Sequence, residues 1–369
     1  MAQSSRLFQP LKVGNATLRH RVAMAPLTRF RADANHVPLP FVKEYYQQRG
    51  SVPGTLLITE ATYVAKEAGG YASVPGIWSE EQIAAWKEVT DAVHAKGSFV
   101  YVQLWALGRV AKPAVAAAEG FEVKGASPIP QAEGETVPAE LSLDEIRHLV
   151  GLYAQAARNA VEAGFDGVEI HGANGYLVDQ FIREASNRRR DRYGGSVENR
   201  ARFALEVTSA VAEAVGADRV GIRLSPWYTL KGMGSADPVP QFTYLINGLK
   251  KLKLAYLHVV QSYVEESDAD VESSRQIAFA LDAWDNTSPV VIAGGFRPES
   301  GRRVVDSTFK DRDVVVAYGR HFISTPDLPF RLQKGLPPTP YNRDTFYTPG
   351  ATEGYTDYAF SEEFLKAAA

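Results

Sequence analysis

The sequence predicts an α/β protein built as a single (β/α)8 TIM barrel over residues 1–369, and three observations predict it. Eight short apolar runs of strand length recur from end to end. Stretches of helical periodicity with cap signals lie between most of them. Two loops too long for the repeat follow strands, on the side where barrel enzymes keep their sites. Strand–helix alternation implies parallel pairing through right-handed crossovers. Eight such units close a cylinder, where an open sheet would usually show fewer.

The apolar runs are 21–26 (RVAMAP), 55–61 (TLLITEA), 99–105 (FVYVQLW), 167–173 (GVEIHGA), 220–226 (VGIRLSP), 256–262 (YLHVVQS), 289–295 (PVVIAGG) and 314–320 (VVVAYGR). A helix over 79–96 opens on Ser79 and Gln82, the spacing of a capping box, and stops before Gly97. A helix over 142–163 repeats the device with Ser142 and Glu145. Helices over 202–215, 239–252, 273–285 and 298–307 follow. Residues 106–141 carry Pro113, Pro128, Pro130 and Pro138 and read as a long insertion after strand three. Residues 230–240 form a Gly/Pro-rich loop after strand five. The segment from Pro337 onward is too aromatic for a disordered tail and is expected to pack on the barrel.

Composition narrows the function. Hydrophobic residues are 45% and charged residues 22%, ordinary values for a globular chain. The net charge of -3 lacks the basic excess of a nucleic-acid binder. There is no cysteine, which removes disulfides, thiolate nucleophiles and cysteine-based metal sites. The 7 histidines show no paired ligand spacing, so no metal is expected. Residues 1–10 lack a signal-peptide pattern, and no run approaches the ~20 apolar residues of a membrane span. The expectation is a cytoplasmic protein off the membrane. Neither G-x-S-x-G nor G-x-G-x-x-G occurs, which argues against serine-hydrolase and Rossmann chemistry.

In a barrel, chemistry collects at the C-terminal ends of the strands. There the sequence places Pro26-Leu27-Thr28, Glu60-Ala61, Gln103 with Trp105, His171, Arg223, Gly294-Gly295 and Gly319-Arg320. His171 and Asn174 supply two neutral donors able to grip one oxygen as charge develops on it. Tyr176 follows, a phenol that can deliver a proton. The bland reading is a buried histidine bonded to backbone beside an ordinary loop Asn and Tyr. Arg223 shares a strand face with Gly221 and Ser225 and can stabilise an anionic cofactor. Its bland reading is a buried ion pair with Glu169. The two glycine sites and Arg320 sit where barrels usually bind phosphate.

At these residues the sequence resembles the Old Yellow Enzyme family over essentially its whole length. The matching motifs are Leu7-Phe8-x-Pro10-Leu11, 22–29 (VAMAPLTR), Glu44-Tyr45-Tyr46-x-Gln48-Arg49, 54–61 (GTLLITEA), 76–82 (GIWSEEQ), 102–105 (VQLW), 165–177 (FDGVEIHGANGYL), 193–203 (YGGSVENRARF), 322–328 (FISTPDL) and 341–347 (YNRDTFY). Within the family it is most similar to the filamentous-fungal branch, which includes enzymes of alkaloid pathways.

The resemblance implies an NADPH dehydrogenase or ene-reductase with FMN at the barrel mouth, NADPH or NADH as hydride donor, and a small enone or enal as substrate. It implies that Thr28 bonds the flavin O4 edge, that Pro26, Leu27 and Ala61 line the ring, and that Gln103 binds the pyrimidine edge. Arg223 would face N1 and O2, and Gly294, Gly295, Gly319 and Arg320 would hold the phosphate. His171 and Asn174 would bind the substrate carbonyl, with a hydride reaching the β-carbon and the Tyr176 proton the α-carbon. Phe30, Tyr71, Trp105 and Tyr355 match pocket or nearby positions. The expected assembly is a monomer or homodimer.

Some positions depart from the family. Ala61 and Ala317 stand where relatives often carry glycine, and Gly295 where asparagine is common. The loop 262–271 is short and acidic, and the arginine run 188–192 reads as a solvated, salt-bridged loop. Three other functions compete. A flavin-dependent isomerase or combined reductase of a secondary-metabolite pathway uses the same site. A barrel glycosidase would pair Glu60 with Glu169. A flavin-binding protein without catalysis would have no use for Tyr176.

Overall fold

Parallel pairing runs without a break around the centre of the protein, a computed structural model that describes residues 5–261 and 276–368. The closed barrel consists of β1 (Val22–Met24), β2 (Leu56–Tyr63), β3 (Phe99–Trp105), β4 (Gly167–Gly172), β5 (Val220–Leu224), β6 (Tyr256–Val260), β7 (Val290–Ala293) and β8 (Val314–Tyr318). Each apolar run in the sequence forms one of these strands. The barrel closes where Ala317 of β8 pairs with Ala23 of β1. β2 runs two residues past its expected end, and its pairing with β3 shifts register between Ile58 and Ala61.

Helices α1 (Val42–Arg49), α2 (Glu80–His94), α3 (Leu143–Glu162), α4 (Val197–Val215), α5 (Val239–Lys250), α6 (Ala278–Trp284), α7 (Pro298–Arg303) and α8 (Leu328–Lys334) follow the strands in turn. Both capping boxes form as their spacing predicts, on Ser79 with Gln82 and on Ser142 with Glu145. Other helices differ from expectation. α4 starts at its Ser196 cap rather than near 202, because Ser196 accepts from Asn199 N–H without a Glu or Gln to mark the box. Of 273–285, only Ala278–Trp284 is helical among the described residues, and 262–275 lie outside them. The helix expected over 298–307 breaks at Val304 into a π turn over Val304–Thr308.

α1 was not evident from periodicity. Its Phe41 cap makes no side-chain bond, and its buried Val42, Tyr45, Tyr46 and Arg49 are held by packing. The insertion 106–141 is more ordered than its prolines imply. It contains a helix, Pro113–Glu119, and pairs Lys124–Gly125 with Ala139–Glu140. Within the run 188–192, Arg188 is exposed as expected, but Arg189 turns inward and donates to the carbonyls of Ala126 (3.0 Å) and Leu141 (2.7 Å).

Alternation along each strand sends one face into the cylinder. At the N-terminal end that face is apolar: Leu56, Ile58, Tyr101, Tyr256, Val291 and Val315 pack with Val13, Ala16 and Leu18 of an N-terminal hairpin. A Cβ on Gly221 would come 2.3 Å from the Tyr256 ring, so glycine leaves that ring its place. The C-terminal segment packs on the loop after β1. Arg29 donates to the carbonyls of Phe346 (3.0 Å) and Gly354 (2.8 Å), and Arg31 to that of Ala351 (2.9 Å). No helix among the described residues is long and apolar enough to cross a membrane.

Candidate active site

Toward the C-terminal end the inward face turns polar. Glu169 of β4 accepts from Gln103 Nε2 (2.7 Å), Tyr256 Oη (3.0 Å) and His258 Nδ1 (2.7 Å). Burial disfavours the Glu169 charge, but His258, Arg223 and the Gln103 bond together hold its pKa below the ordinary value. Burial lowers the His258 pKa, so a neutral ring donates Nδ1–H to the carboxylate. Arg223 therefore does not make the ion pair with Glu169 that its strand position allows. Its Nε is buried and has no hydrogen-bond partner among the described residues. Glu60 accepts from Arg29 N–H (3.2 Å), and burial pushes its pKa up to about 7. The two carboxylates answer to different neighbours: Glu60 to the loop after β1, and Glu169 to Gln103, Tyr256 and His258.

The turn after β4 brings the His171 and Tyr176 side chains together, with Asn174 between them in sequence. Asn174 adopts φ 58°, a left-handed conformation that asparagine tolerates better than most residues. Its N–H donates to Ser225 Oγ (2.8 Å), and Gly175 N–H donates to buried Asp179 (2.9 Å). Arg183 locks Asp179 from the other side at 2.8 Å and donates to the carbonyls of Pro226 and Met233. The His171 and Tyr176 ring centroids then lie 4.9 Å apart. The Trp105 ring lies 4.7 Å from Tyr176, edge to face, and 6.0 Å from His171. Tyr71 extends this wall to Trp105 at 6.0 Å, and Phe30 meets Tyr71 at 6.5 Å.

Burial and nearby charge fix the protonation of His171 and Tyr176. Burial, followed by the Arg223 and Lys231 charges, pushes His171 well below its usual pKa, and it is neutral at pH 7. Its buried Nδ1 has no partner among the described residues. Burial raises the Tyr176 phenol, which stays protonated.

The remaining candidates sit around the same rim. Pro26 and Ala61 are buried, Gln103 is buried on Glu169, and Leu27 and Thr28 are half-buried. Ala293 of β7 pairs with Ala317 of β8, so Gly294-Gly295 and Gly319-Arg320 share one stretch of rim. Gly294 and Gly295 have φ 136° and 66°. A Cβ on Gly319 would meet Leu27 Cδ2 at 3.2 Å, which joins this stretch to the loop after β1. Arg320 lies 5.7 Å from the Tyr341 ring.

Tyr355 is not brought to the aromatic wall. It is fully buried and stacked on Tyr45 at 3.9 Å. Three residues of the site were not picked out by sequence. Tyr347 meets Phe30 at 5.9 Å and lies in a quoted family motif. Tyr228 acts electrostatically on Tyr71 and Tyr176, and Lys231 lies over Tyr176. Both belong to or adjoin the loop after β5. A cavity of about 320 Å³ lies behind the wall, against Ala106, Leu149 and Leu177; none of the candidate residues lines it. No group of three or more His, Cys, Asp or Glu among the described residues could hold a metal.

The family model described as "NADH:flavin oxidoreductase / NADH oxidase family" matches residues 6–339. This chain belongs to that family. A solved Old Yellow Enzyme from Pichia sp. AKU4542 superposes with TM-score 0.90 at 38% identity, covering 98% of this chain and 95% of that one. Among curated proteins, the "Chanoclavine-I aldehyde reductase fgaOx3" of Penicillium roqueforti is 58% identical, covering 98% of each chain. The "NADP-dependent oxidoreductase lnbE" of Aspergillus flavus is 53% identical, covering 97% of each.

The protein is an Old Yellow Enzyme-type oxidoreductase, an FMN enzyme with NAD(P)H as donor. Its mouth fits such a cofactor. A flavin is planar and apolar with a polar edge and a phosphate tail. Here Arg223 Nε and His171 Nδ1 are buried without partners among the described residues, and two positive-φ glycines share a stretch of rim with Arg320. Orphaned donors occur elsewhere among the described residues too, but only at the mouth do they adjoin an aromatic wall and a glycine-lined rim.

Proposed function

We propose that this oxidoreductase reduces the electron-poor C=C bond of an α,β-unsaturated carbonyl compound. The observation that carries this reading is the convergence of neutral His171 and protonated Tyr176 beside Trp105, with Asn174 in the turn between them. The Asn174 side-chain amide makes no hydrogen bond to the described protein, which leaves it for a substrate oxygen. His171 and Asn174 donate to the carbonyl oxygen, and their bonds strengthen as negative charge gathers there. Trp105, Tyr71 and Phe30 cover the apolar part of the substrate. FMN, when bound, takes electrons from NADPH or NADH and supplies hydride to the β-carbon. The Tyr176 O–H then breaks to form the new C–H bond at the α-carbon, and water restores the phenol.

Pro26, Leu27, Thr28, Ala61, Gln103, His171 and Arg223 would border the flavin ring. Gly294, Gly295, Gly319 and Arg320 would hold its phosphate. The name of the 58% identical relative supports an aldehyde of alkaloid type as the natural compound. Turnover without net NADPH consumption would instead identify an isomerase.

The test is anaerobic stopped-flow on the yellow holoenzyme. NADPH is expected to bleach the flavin bands and cyclohexenone to restore them. Tyr176→Phe is expected to slow reoxidation at least ~100-fold while leaving bleaching unchanged. Equal slowing of both halves would remove Tyr176 from this role, and a colourless protein that takes up no FMN would end the proposal.

A further inference from the structure

The loop after β5 lays a lysine across the proton donor. Lys231 Nζ lies 3.8 Å from the centroid of the Tyr176 ring and donates to the Asn174 carbonyl at 3.2 Å. Lys231 has φ 58°, a left-handed backbone that a lysine keeps only when its surroundings impose it. The surroundings are visible. Buried Arg109 donates to the Lys231 carbonyl at 2.8 Å and to those of Ile129 and Pro130 at 3.2 Å, tying this loop to the insertion after β3. The ammonium is half-buried and makes no ion pair among the described residues. A lysine on a flexible stem would otherwise swing into water.

We infer that Lys231 is a positioning residue for proton delivery: its ammonium fixes the Asn174 backbone and stabilises the Tyr176 phenolate formed in the reaction. The inference rests on the ene-reduction proposed above and extends it. Tyr176 is neutral before the step. When its O–H breaks and the α-carbon gains the proton, the electron pair stays on the phenolate and spreads into the ring under Nζ. The attraction therefore rises along the reaction, the condition for accelerating it. Burial lowers the Lys231 pKa to about 8, with Asp179 opposing. The groups acting on it or touching it are Tyr176 and His171 from β4 and its turn, Asp179 from the short helix Leu177–Ile182, and Arg109, while Arg223 and Tyr228 act on Tyr176 beside it. Loss of the Lys231 proton removes the stabilising charge, so reoxidation should slow above about pH 8.

The experiment follows both half-reactions of the FMN holoenzyme across pH with cyclohexenone as oxidant. Lys231→Met is expected to slow reoxidation about tenfold, to leave reduction by NADPH unchanged, and to abolish the alkaline fall. Lys231→Arg should restore most of the rate. In the Tyr176→Phe background, Lys231→Met should have no further effect. Wild-type reoxidation by Lys231→Met with an unchanged pH profile would overturn the inference. So would equal slowing of both half-reactions. If Lys231→Met loses FMN, the wild-type profile decides alone, and the lack of an alkaline fall would overturn it. Fast reoxidation by Tyr176→Phe alone would instead remove the underlying reading of Tyr176.

Discussion

At the N-terminal end of the barrel, Leu56, Ile58, Tyr101, Tyr256, Val291 and Val315 fill the cylinder with hydrocarbon and aromatic rings. Two residues further along the same faces stand Gln103, Glu169, Arg223 and His258, with His171 beyond Glu169. The lower end is mostly hydrocarbon, and of its side chains Tyr101 alone leaves a buried hydroxyl without a partner among the described residues. Its apolar side chains meet one another and the N-terminal hairpin. The mouth leaves Trp105 Nε1, His171 Nδ1 and Arg223 Nε buried without partners among the described residues. One step of the pleat separates an apolar plug from a polar, charged mouth.

The largest effect should come from the lower end. Ile58→Ala is expected to cost about 2–5 kcal/mol of unfolding free energy, read from the denaturant midpoint. Turnover per bound flavin should be unchanged. Loss of turnover without loss of stability would break the contrast.

Two buried titratable groups sharpen it through pH. His20, below β1, has Nδ1 accepting from Val22 N–H (3.3 Å) and Nε2 bonded to Thr55 Oγ1 (3.1 Å). Burial lowers its pKa from 6.5 to about 4. The unfolded chain therefore binds the extra proton between those values, and His20 withdraws stability as pH falls through them. Glu60, near the mouth, works in reverse. Burial raises its pKa from 4.5 to about 7, so the folded state binds the extra proton and stability falls as pH rises through that window. Each effect amounts to about 3 kcal/mol at full development. His20→Asn should flatten the acid loss, and Glu60→Gln should flatten the loss from 4.5 to 7, in urea midpoints measured against pH. Identical profiles for both variants would contradict the assignment.

The smallest stability change is expected at the mouth. Arg223→Met removes a cation whose Nε has no hydrogen bond among the described residues but whose charge helps keep Glu169 ionised, and the two effects should offset to within about 1 kcal/mol of apoprotein stability. FMN retention should weaken by about 10–100-fold, read by fluorescence titration. Destabilisation matching that of Ile58→Ala would make Arg223 a structural residue.

The barrel was legible because its signals are local. A run of Val, Ile and Leu reads as a strand wherever it sits, and Ser79 with Gln82 caps a helix without outside help. The trio His171, Asn174 and Tyr176 was legible because one strand end and its turn carry all three. What escaped depends on distant partners. α1 is held by packing and by Arg49, which donates to the carbonyls of Phe322 and Tyr355. Lys231 in a Gly-rich loop reads as solvated until Arg109, 122 positions away in sequence, is seen to pin it. Tyr355 matched a pocket position by motif, but its surroundings place it on Tyr45 instead.

The arginines after β1 carry a consequence for biosynthesis. Most of their acceptors lie on residues 345–354, which leave the ribosome after all eight strands have been made. A nascent chain can close its cylinder while the loop holding Pro26, Leu27 and Thr28 still lacks its clasp. Cleavage within 345–354 is therefore expected to free this loop before it opens the barrel, which limited proteolysis followed by circular dichroism would show.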